Sequence, residues 1–223
     1  MLELKNIYKT FNPGTINEKV ALNGLNLTLN EGDFVTVIGG NGAGKSTMLN
    51  AVAGTWMVDE GHIIIDGVDV TKLSEHKRAA YLGRVFQDPM TGTAATMGIE
   101  ENLALAKRRG KLRLLKPGIT KAERAEYKEL LKILGLGLED RLTSKVGLLS
   151  GGQRQALTLL MATLQKPKLL LLDEHTAALD PKTAAKVLEI TEMIVNRDHL
   201  TTMMITHNMQ DAIIHGNRLI MMM

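Results

Sequence analysis

The 223-residue sequence contains no cysteine, few aromatic residues (3%) and little excess charge (+3). The lack of cysteine excludes a disulfide framework and any metal site with Cys ligands. The small positive charge does not by itself indicate a nucleic-acid partner. No apolar run approaches the roughly 18 residues of a membrane-spanning helix, and the N-terminus lacks the apolar run of a signal peptide. If the protein works at a membrane, we expect another chain to supply the membrane part.

A glycine-rich loop follows a buried strand pattern at residues 34–38 and precedes a helix pattern at residues 46–53. This order is the context of a phosphate-binding P-loop, in which glycines let backbone N–H groups approach phosphate oxygens. We expect Lys45 to reach the β- and γ-phosphates, the Ser46 hydroxyl to bind Mg²⁺ and Thr47 to contact the α-phosphate side. The predicted nucleotide-binding residues of this loop are Gly39, Asn41, Gly42, Ala43, Gly44, Lys45, Ser46 and Thr47.

Four consecutive leucines at residues 169–172 have the unbroken apolar pattern that is typical of a central parallel strand. Asp173 follows at the carboxyl end of this strand, where α/β sheets bind their ligands. We expect Asp173 to hold Mg²⁺ through a water molecule. Glu174 is the candidate general base that polarises the attacking water.

A second glycine-containing turn opens a helix pattern that runs from residue 153 to about residue 164. Its serine can cap the helix and donate its hydroxyl, and its glycines let N–H groups approach a phosphate. An ordinary well-capped helix would show the same pattern. The predicted phosphate contacts here are Ser150, Gly151, Gly152 and Gln153.

With these motifs in this order, nearly the whole chain resembles the ATP-binding cassette of ABC proteins. The resemblance identifies Gln87 as the Q-loop glutamine, Asp180 as a D-loop residue and His207 as the switch histidine. It implies that Gln87 contacts Mg²⁺ and the attacking water, and that His207 donates a hydrogen bond to the γ-phosphate. It also implies that Phe11 stacks on adenine, with Tyr8 as the alternative aromatic and a core position as the alternative role for Phe11.

The fold implied by the resemblance is the α/β fold of a P-loop NTPase ABC cassette, in one domain over residues 1–223. A RecA-like parallel core sheet and an antiparallel β-subdomain would occupy residues 1–87 and 149–223. An α-helical subdomain would be inserted at about residues 88–148. The alternation at residues 2–8, 20–29 and 62–70 predicts antiparallel strands, and the patterns at residues 99–109 and 119–134 predict amphipathic helices.

The resemblance also implies partners. Because one chain carries one P-loop and one SGGQ turn, two copies should sandwich two ATP molecules, with Ser150 and Gly152 facing the γ-phosphate bound on the other subunit. A separate integral-membrane permease would dock on the helical subdomain, near residues 90–97, for which a plain loop is the alternative. The protein would lie on the cytoplasmic face of the membrane and work through the permease with an extracytoplasmic solute-binding protein. We expect no nucleic-acid partner.

Two functions are compatible with these features. The run at residues 173–180 resembles one bacterial subgroup of uptake ATPases, which favours import of a small solute, with an aromatic amino acid as one candidate. The alternative is a non-transport or extrusion-type ABC ATPase that acts on a macromolecular partner. His175 replaces the usual proline of the family, and we interpret it as a tolerated loop residue, with a catalytic role as the alternative.

Two segments receive no assigned role. The basic residues at 107–116 could meet lipid headgroups or a permease loop, or form a solvated connector. The strand-like pattern at residues 219–223 leads us to expect that the natural chain continues in a further hairpin.

Overall fold

A computed structural model describes residues 1–110 and 118–223. In chain order, its strands and helices are β1 (Leu2–Phe11), β2 (Lys19–Leu29), β3 (Phe34–Gly39), α1 (Lys45–Ala53), β4 (Glu60–Ile65), β5 (Val68–Asp69), α2 (Glu75–Arg78), β6 (Leu82–Val85), α3 (Ile99–Lys107), α4 (Lys121–Lys132), α5 (Gly151–Thr163), β7 (Leu169–Asp173), α6 (Pro181–Asp198), β8 (Thr202–Ile205), α7 (Met209–His215) and β9 (Arg218–Met222). Short 3-10 helices span Leu138–Asp140 and Val146–Leu148.

The chain divides into two compact units. The first unit contains Met1–Arg84, Pro167–Glu174 and His199–Met223, and the second contains Val85–Lys166 and His175–Asp198. The predicted organisation, with a core at residues 1–87 and 149–223 and an insertion at about 88–148, stays a prediction. No helix within the two described ranges is both long enough and apolar enough to cross a membrane.

The first unit contains a parallel sheet with the strand order β6-β7-β8-β3-β9. Strand β8 pairs in parallel with β7 and β3, and Ile205 lies beside both Asp173 and Val37. Leu169 to Leu172 of β7 are all at most 1% exposed, as the unbroken apolar run predicts for a strand covered on both faces. The P-loop, Glu174 and His207 therefore begin at the same edge of this sheet.

The antiparallel sheet of the first unit has the order β2-β1-β4-β5, and β1 pairs antiparallel with β2 and β4. Leu2 and Leu4 of β1 are buried, as the alternating pattern predicts, and Ile7 joins the same buried cluster after a register shift between Leu4 and Ile7. Phe11 lies opposite Lys19 at the end of the β1–β2 ladder. This register brings both side chains to the mouth of the site described below.

A fully buried arginine closes the carboxyl end of α1. The Arg78 guanidinium donates hydrogen bonds to the carbonyl oxygens of Ala51 (2.6 Å), Val52 (3.0 Å), Leu73 (2.9 Å) and Thr71 (2.8 Å). A buried charge is tolerated when its donors are satisfied in this way. Arg78 thereby fixes the end of the helix that follows the P-loop.

The turn after β5 provides a test of the pH dependence of stability. The Asp69 carboxylate accepts hydrogen bonds from the hydroxyl and the backbone N–H of Thr71 and contacts His62, and these contacts lower the pKa of Asp69 to about 2. A carboxyl group whose pKa is lowered by folding stabilises the folded state at pH values above its unfolded-state pKa. This stabilisation is lost as the pH falls toward 2. Because the carboxylate is 51% exposed, we expect Asp69→Asn to lower the free energy of unfolding at pH 7 by only about 1 kcal/mol.

Urea unfolding of both proteins at pH 7, 4 and 3 checks this expectation. The difference between wild type and Asp69→Asn should shrink at each step toward acid. An equal difference at pH 7 and pH 3 would mean that the Asp69 charge is not its source.

The second unit is mainly helical. Helix α5 packs on α3 and α6, and the buried faces of the unit include Leu103, Tyr127 and Leu157. The carboxylate of Glu100 on α3 accepts two hydrogen bonds from Arg124 on α4, at 2.6 and 2.7 Å. The helix patterns at residues 99–109 and 119–134 correspond to α3 and α4, each a few residues shorter than predicted.

Candidate nucleotide site

The first unit contains an open pocket of about 350 Å³ at the carboxyl edge of its parallel sheet. Its lining residues are Phe11, Lys19, Ala21, Asn41, Gly42, Ala43, Gly44, Lys45, Ser46, Thr47, Trp56, Glu174 and His207. The structure thus brings most of the predicted P-loop residues together with Phe11, Glu174 and His207, whereas Gln87, the third candidate catalytic residue, is not part of this lining. Tyr8 is absent from this lining and its hydroxyl lies against Gly24 instead.

The P-loop depends on two glycines in the left-handed region, Gly42 (φ 86°) and Gly44 (φ 90°). A Cβ at Gly44 would lie 2.5 Å from the carbonyl oxygen of Ala21, so only glycine fits there. Helix α1 begins directly afterwards, at Lys45. Its first N–H groups and its dipole favour an anion at this end.

The lysine of the loop is nearly buried, and its Nζ donates to the carbonyl oxygens of Gly39 (2.8 Å) and Gly40 (3.1 Å). These neutral acceptors fix the ammonium but do not neutralise its charge. A buried cation beside a helix N-terminus fits a polyphosphate, because an anion compensates both the charge and the exposed backbone donors. The pocket therefore has the chemistry that ATP requires.

Glu174 and His207 meet at the edge of the pocket. Glu174 Oε1 lies 2.7 Å from His207 Nε2, and the Glu174 backbone N–H donates to the carbonyl oxygen of Ile205 (3.0 Å). Glu174 also has a left-handed backbone, with φ 46°. Such a conformation is uncommon outside glycine and is frequent at functional sites. The sequence predicted a role for each residue but not this direct contact.

Asp173 ends β7 beside Arg84, whose Nη2 lies 3.4 Å from Asp173 Oδ2. Burial raises the pKa of the Asp173 carboxyl, and the neighbouring Arg84 lowers it by a smaller amount. A cation at this carboxylate would therefore favour its charged form. The Asp173 carboxylate and the Ser46 hydroxyl are oxygen donors of the kind that Mg²⁺ prefers, together with phosphate and water.

A tryptophan that the sequence analysis overlooked lines the same pocket. The Phe11 and Trp56 rings meet edge to face, with centroids 4.9 Å apart and an interplanar angle of 80°. Trp56 is the single tryptophan of the chain and follows the carboxyl end of α1. A large aromatic side chain in an exposed turn is a signal that could have identified it. Lys19, opposite Phe11 on β2, was also overlooked.

The remaining predicted site residues belong to the second unit. Ser150 caps α5, because its hydroxyl accepts from the Gln153 N–H (3.3 Å) while Gln153 Oε1 accepts from the Ser150 N–H (3.2 Å). A Cβ at Gly152 would lie 2.1 Å from Cγ2 of Thr183, so α5 needs glycine to approach α6. Gly151 starts α5 and is exposed. The contacts of these residues with phosphate stay predictions.

Two further predicted residues of the second unit lie at its surface. Thr183 donates to Asp180 (3.1 Å), and the hydrogen bonds from Thr183 hold the pKa of Asp180 below its usual value. Asp180 thereby caps α6. Gln87 is exposed, and its role at Mg²⁺ stays a prediction.

His175 differs from the interpretation of a tolerated loop residue. It lies in a turn but is only 1% exposed, and its Nε2 lies 3.1 Å from the Thr191 hydroxyl on α6. The histidine therefore packs inside the second unit, where the Thr191 hydroxyl provides a polar partner for its ring.

The basic stretch at residues 107–116 falls largely outside the described residues, since residues 111–117 are not described.

Comparison with known proteins identifies the family of this chain. The family described as ABC transporter matches residues 22–177, which is more than half of the chain. The chain belongs to the ABC transporter family. It is 46% identical over 228 residues to a tyrosine transport ATP-binding protein of Clostridioides difficile, covering 100% of this chain and 88% of that protein.

Other ABC relatives are longer than this chain. The spermidine/putrescine import ATP-binding protein PotA of Haemophilus influenzae is 34% identical over 224 residues, which cover 100% of this chain and 55% of PotA. The chain therefore spans about half the length of that relative. Among solved structures, a dimeric ATP-binding cassette in a post-hydrolysis state, bound to ADP and Pi, superposes with a TM-score of 0.83 at 32% identity, covering 100% of this chain and 94% of that one.

These similarities confirm several predictions. The α/β fold of an ABC cassette is confirmed, as is the assignment as an ATP-binding, ATP-hydrolysing subunit of the ABC transporter family. The roles of individual residues are not tested by the similarities and remain proposals.

Proposed function

We propose that this ABC ATPase powers the import of a small solute through a separate membrane permease. The observation that carries the proposal is the Glu174–His207 pair, 2.7 Å apart, in the pocket that also holds the P-loop lysine. This pocket combines a site for polyphosphate with a base and a second polar group at its edge. The similarity to ATP-binding proteins named for tyrosine transport and polyamine import supports import as the purpose of the hydrolysis.

In the proposed mechanism, Lys45 and the N-terminus of α1 bind the β- and γ-phosphates. Mg²⁺, when bound near Ser46 and Asp173, offsets the charge of the phosphates. Glu174 orients a water molecule and takes its proton as the water oxygen attacks the γ-phosphorus. The bond from the γ-phosphorus to the bridging oxygen then breaks, and ADP and phosphate are the products.

His207 can engage Glu174 or the γ-phosphate, but one Nε2–H cannot serve both at the same time. We therefore expect the 2.7 Å contact between Glu174 and His207 to open when ATP is bound. The ring of His207 is 48% exposed, so it has room to turn. Release of the carboxylate would then free Glu174 for the attacking water.

Two copies of the chain are proposed to close around two ATP molecules. Ser150 and Gly152 of one copy would face the γ-phosphate bound on the other, with Asp180 at the same seam. The description of a structurally similar cassette as dimeric, with ADP and Pi bound, supports this assembly. Closure and reopening of the dimer would drive the permease at the cytoplasmic face of the membrane, and a solute-binding protein would deliver the solute on the other side.

Tyrosine or a related aromatic amino acid is the proposed solute. The 46% identity to a tyrosine transport protein, over the full length of this chain, carries this choice. The similarity to polyamine-import proteins is lower, at 34% to 35%. The ATPase itself does not contact the solute, so the assignment depends on the partner permease.

Uptake by whole cells tests the proposal. The native copy is replaced by Lys45→Met, and uptake of radiolabelled tyrosine, spermidine and methionine is measured. We expect tyrosine uptake to be lost while the other two continue. Normal uptake of every solute, together with recovery of the tagged chain on ribosomes or nucleic acid, would contradict the proposal and favour a macromolecular partner.

The aromatic pair gives a separate prediction about the nucleotide base. If Trp56 forms part of the base site with Phe11, then Trp56→Ala should weaken ATP binding roughly tenfold, since one stacked base contributes about 1–3 kcal/mol. Binding of inorganic triphosphate, which has no base, should stay the same. Calorimetric titration with both ligands makes the comparison, and equal weakening of the two would exclude a role at the base.

A further inference from the structure

Arg84 connects three parts of the nucleotide site and belongs to none of the motifs of the sequence. It lies on β6, with its side chain 14% exposed. Its Nη2 is 2.7 Å from Asn50 Oδ1 on α1 and 3.4 Å from Asp173 Oδ2 at the end of β7. Its Nη1 donates to the Thr55 hydroxyl at 3.1 Å. One planar guanidinium therefore spans the P-loop helix, the turn after it and the strand that carries the candidate metal ligand.

The contact with Asp173 occurs where charges are poorly screened. The Asp173 side chain is 18% exposed and that of Arg84 is 14% exposed, so water competes weakly for either group. The hydrogen bond to Asn50 anchors Nη2 and limits where the guanidinium can move. The guanidinium contacts Oδ2, and a carboxylate has a second oxygen, Oδ1, that can bind a cation or its water at the same time.

We propose that Arg84 is a positioning residue that holds the Asp173 carboxylate in the orientation that receives Mg²⁺. This inference rests on the proposed function, in which Asp173 binds Mg²⁺. Residues that hydrogen-bond to a metal ligand orient it, and their loss weakens metal binding by about 10- to 100-fold. Arg84 would do this through a charged contact that is itself anchored on α1.

A competing effect of the Arg84 charge defines the test. A guanidinium beside Asp173 also repels Mg²⁺, so its removal could strengthen metal binding. The hydrogen bond to Asn50 favours the positioning role. The Arg84 guanidinium is already held in place, so little conformational entropy is lost when it supports the Asp173 carboxylate. The direction of the change in Mg²⁺ requirement therefore separates a positioning residue from a competing cation.

The experiment measures ATP affinity by calorimetry, first in EDTA and then over a series of Mg²⁺ concentrations. For Arg84→Met, we expect ATP affinity in EDTA to stay within about twofold of wild type. Mg²⁺ should increase ATP affinity, and the Mg²⁺ concentration that gives half of this increase, the Mg²⁺ requirement, should rise roughly tenfold. Arg84→Lys keeps the charge but loses the planar fork, so its Mg²⁺ requirement should lie between the two. An unchanged or lower requirement in Arg84→Met would overturn the inference.

Two control variants make the result specific. Arg218→Met removes another arginine that pairs with an aspartate, Asp33, at the opposite end of β3 from the P-loop. It should leave the Mg²⁺ requirement unchanged. Thermal unfolding shows whether Arg84→Met is folded. If it is not, Asn50→Ala replaces it, because this variant keeps the arginine and removes the side chain that anchors it. We expect Asn50→Ala to raise the requirement about threefold, and an unchanged value would again overturn the inference.

Asp173→Asn distinguishes failure of this inference from failure of the proposed function. If Asp173→Asn still shows the full gain from Mg²⁺, the proposed role of Asp173 is wrong. If Asp173→Asn loses the gain but Arg84→Met behaves as wild type, only the role of Arg84 is wrong. In the Asp173→Asn background, adding Arg84→Met should cause no further change in ATP affinity at any Mg²⁺ concentration.

Discussion

Replacing Glu174 with glutamine is expected to lower the rate constant of ATP hydrolysis roughly 10³-fold, within the range of 10² to 10⁴ for loss of a general base. Glutamine has nearly the same shape and can still hydrogen-bond to His207, but it cannot take a proton from water. ATP affinity should change by less than about threefold, because the phosphates are bound by other groups. Single-turnover phosphate release and calorimetric binding of ATP measure the two quantities.

The same variant should accumulate as an ATP-bound dimer, because the step that reopens the dimer is blocked. Sedimentation velocity in saturating Mg-ATP measures this. Glu189→Gln is the matched control, since Glu189 is an exposed carboxylate that pairs with Lys186 on α6. A Glu174→Gln protein that hydrolyses ATP within about tenfold of wild type would show that another group is the base.

Replacing Lys45 with methionine is expected to weaken ATP binding about 100-fold, which corresponds to about 2.7 kcal/mol. The ammonium is nearly buried and already held by the carbonyl oxygens of Gly39 and Gly40, so little ordering is needed when a phosphate binds. Methionine keeps most of the length but loses the charge and both hydrogen bonds. Calorimetric titration with ATP gives the affinity.

Lys19→Met is the matched control for this experiment. Lys19 also lines the pocket but is exposed on β2, so its charge is screened by water and its removal should weaken ATP binding only about threefold. Equal losses in the two variants would mean that the pocket binds phosphate through general positive charge. A Lys45→Met protein with nearly wild-type affinity would contradict the assignment of the P-loop.

The sequence predicted those parts of the fold that depend on local patterns. The strand, glycine loop and helix of the nucleotide site were predictable, because left-handed turns at Gly42 and Gly44 and an apolar strand are local properties. Helix α4 was predicted from its amphipathic pattern, and the structure adds a capping box between Thr120 and Glu123 at its start. The short helices α2 and α7 lack a long periodic pattern and were not predicted, although Asn208 caps α7 as a helix start signal would.

The sequence did not predict contacts between residues that are distant along the chain. The burial of Arg78, the approach of Arg84 to Asp173 and the edge-to-face pair of Phe11 and Trp56 all depend on how strands and helices pack together. The same is true of the burial of His175 against α6. Arg and Asp are usually exposed, and Trp and His are intermediate, so only the three-dimensional structure identifies the neighbours of these residues.

Mixing two inactive variants tests the central claim, that two copies of this ABC ATPase share each ATP site. Lys45→Met disables the P-loop of its own chain. Ser150→Asp should still cap α5, because Asp is as good a cap as Ser. In the proposed dimer it would place a negative charge against the γ-phosphate on the other chain. A mixed dimer would then contain one site with both changes and one intact site.

The measurement is the ATP hydrolysis rate of each variant alone and of an equimolar mixture. We predict almost no activity for either variant alone. In the mixture we predict roughly a quarter of the wild-type rate, since half of all dimers would be mixed and each mixed dimer would have one working site of two. A mixture as inactive as its components would contradict this shared-site arrangement.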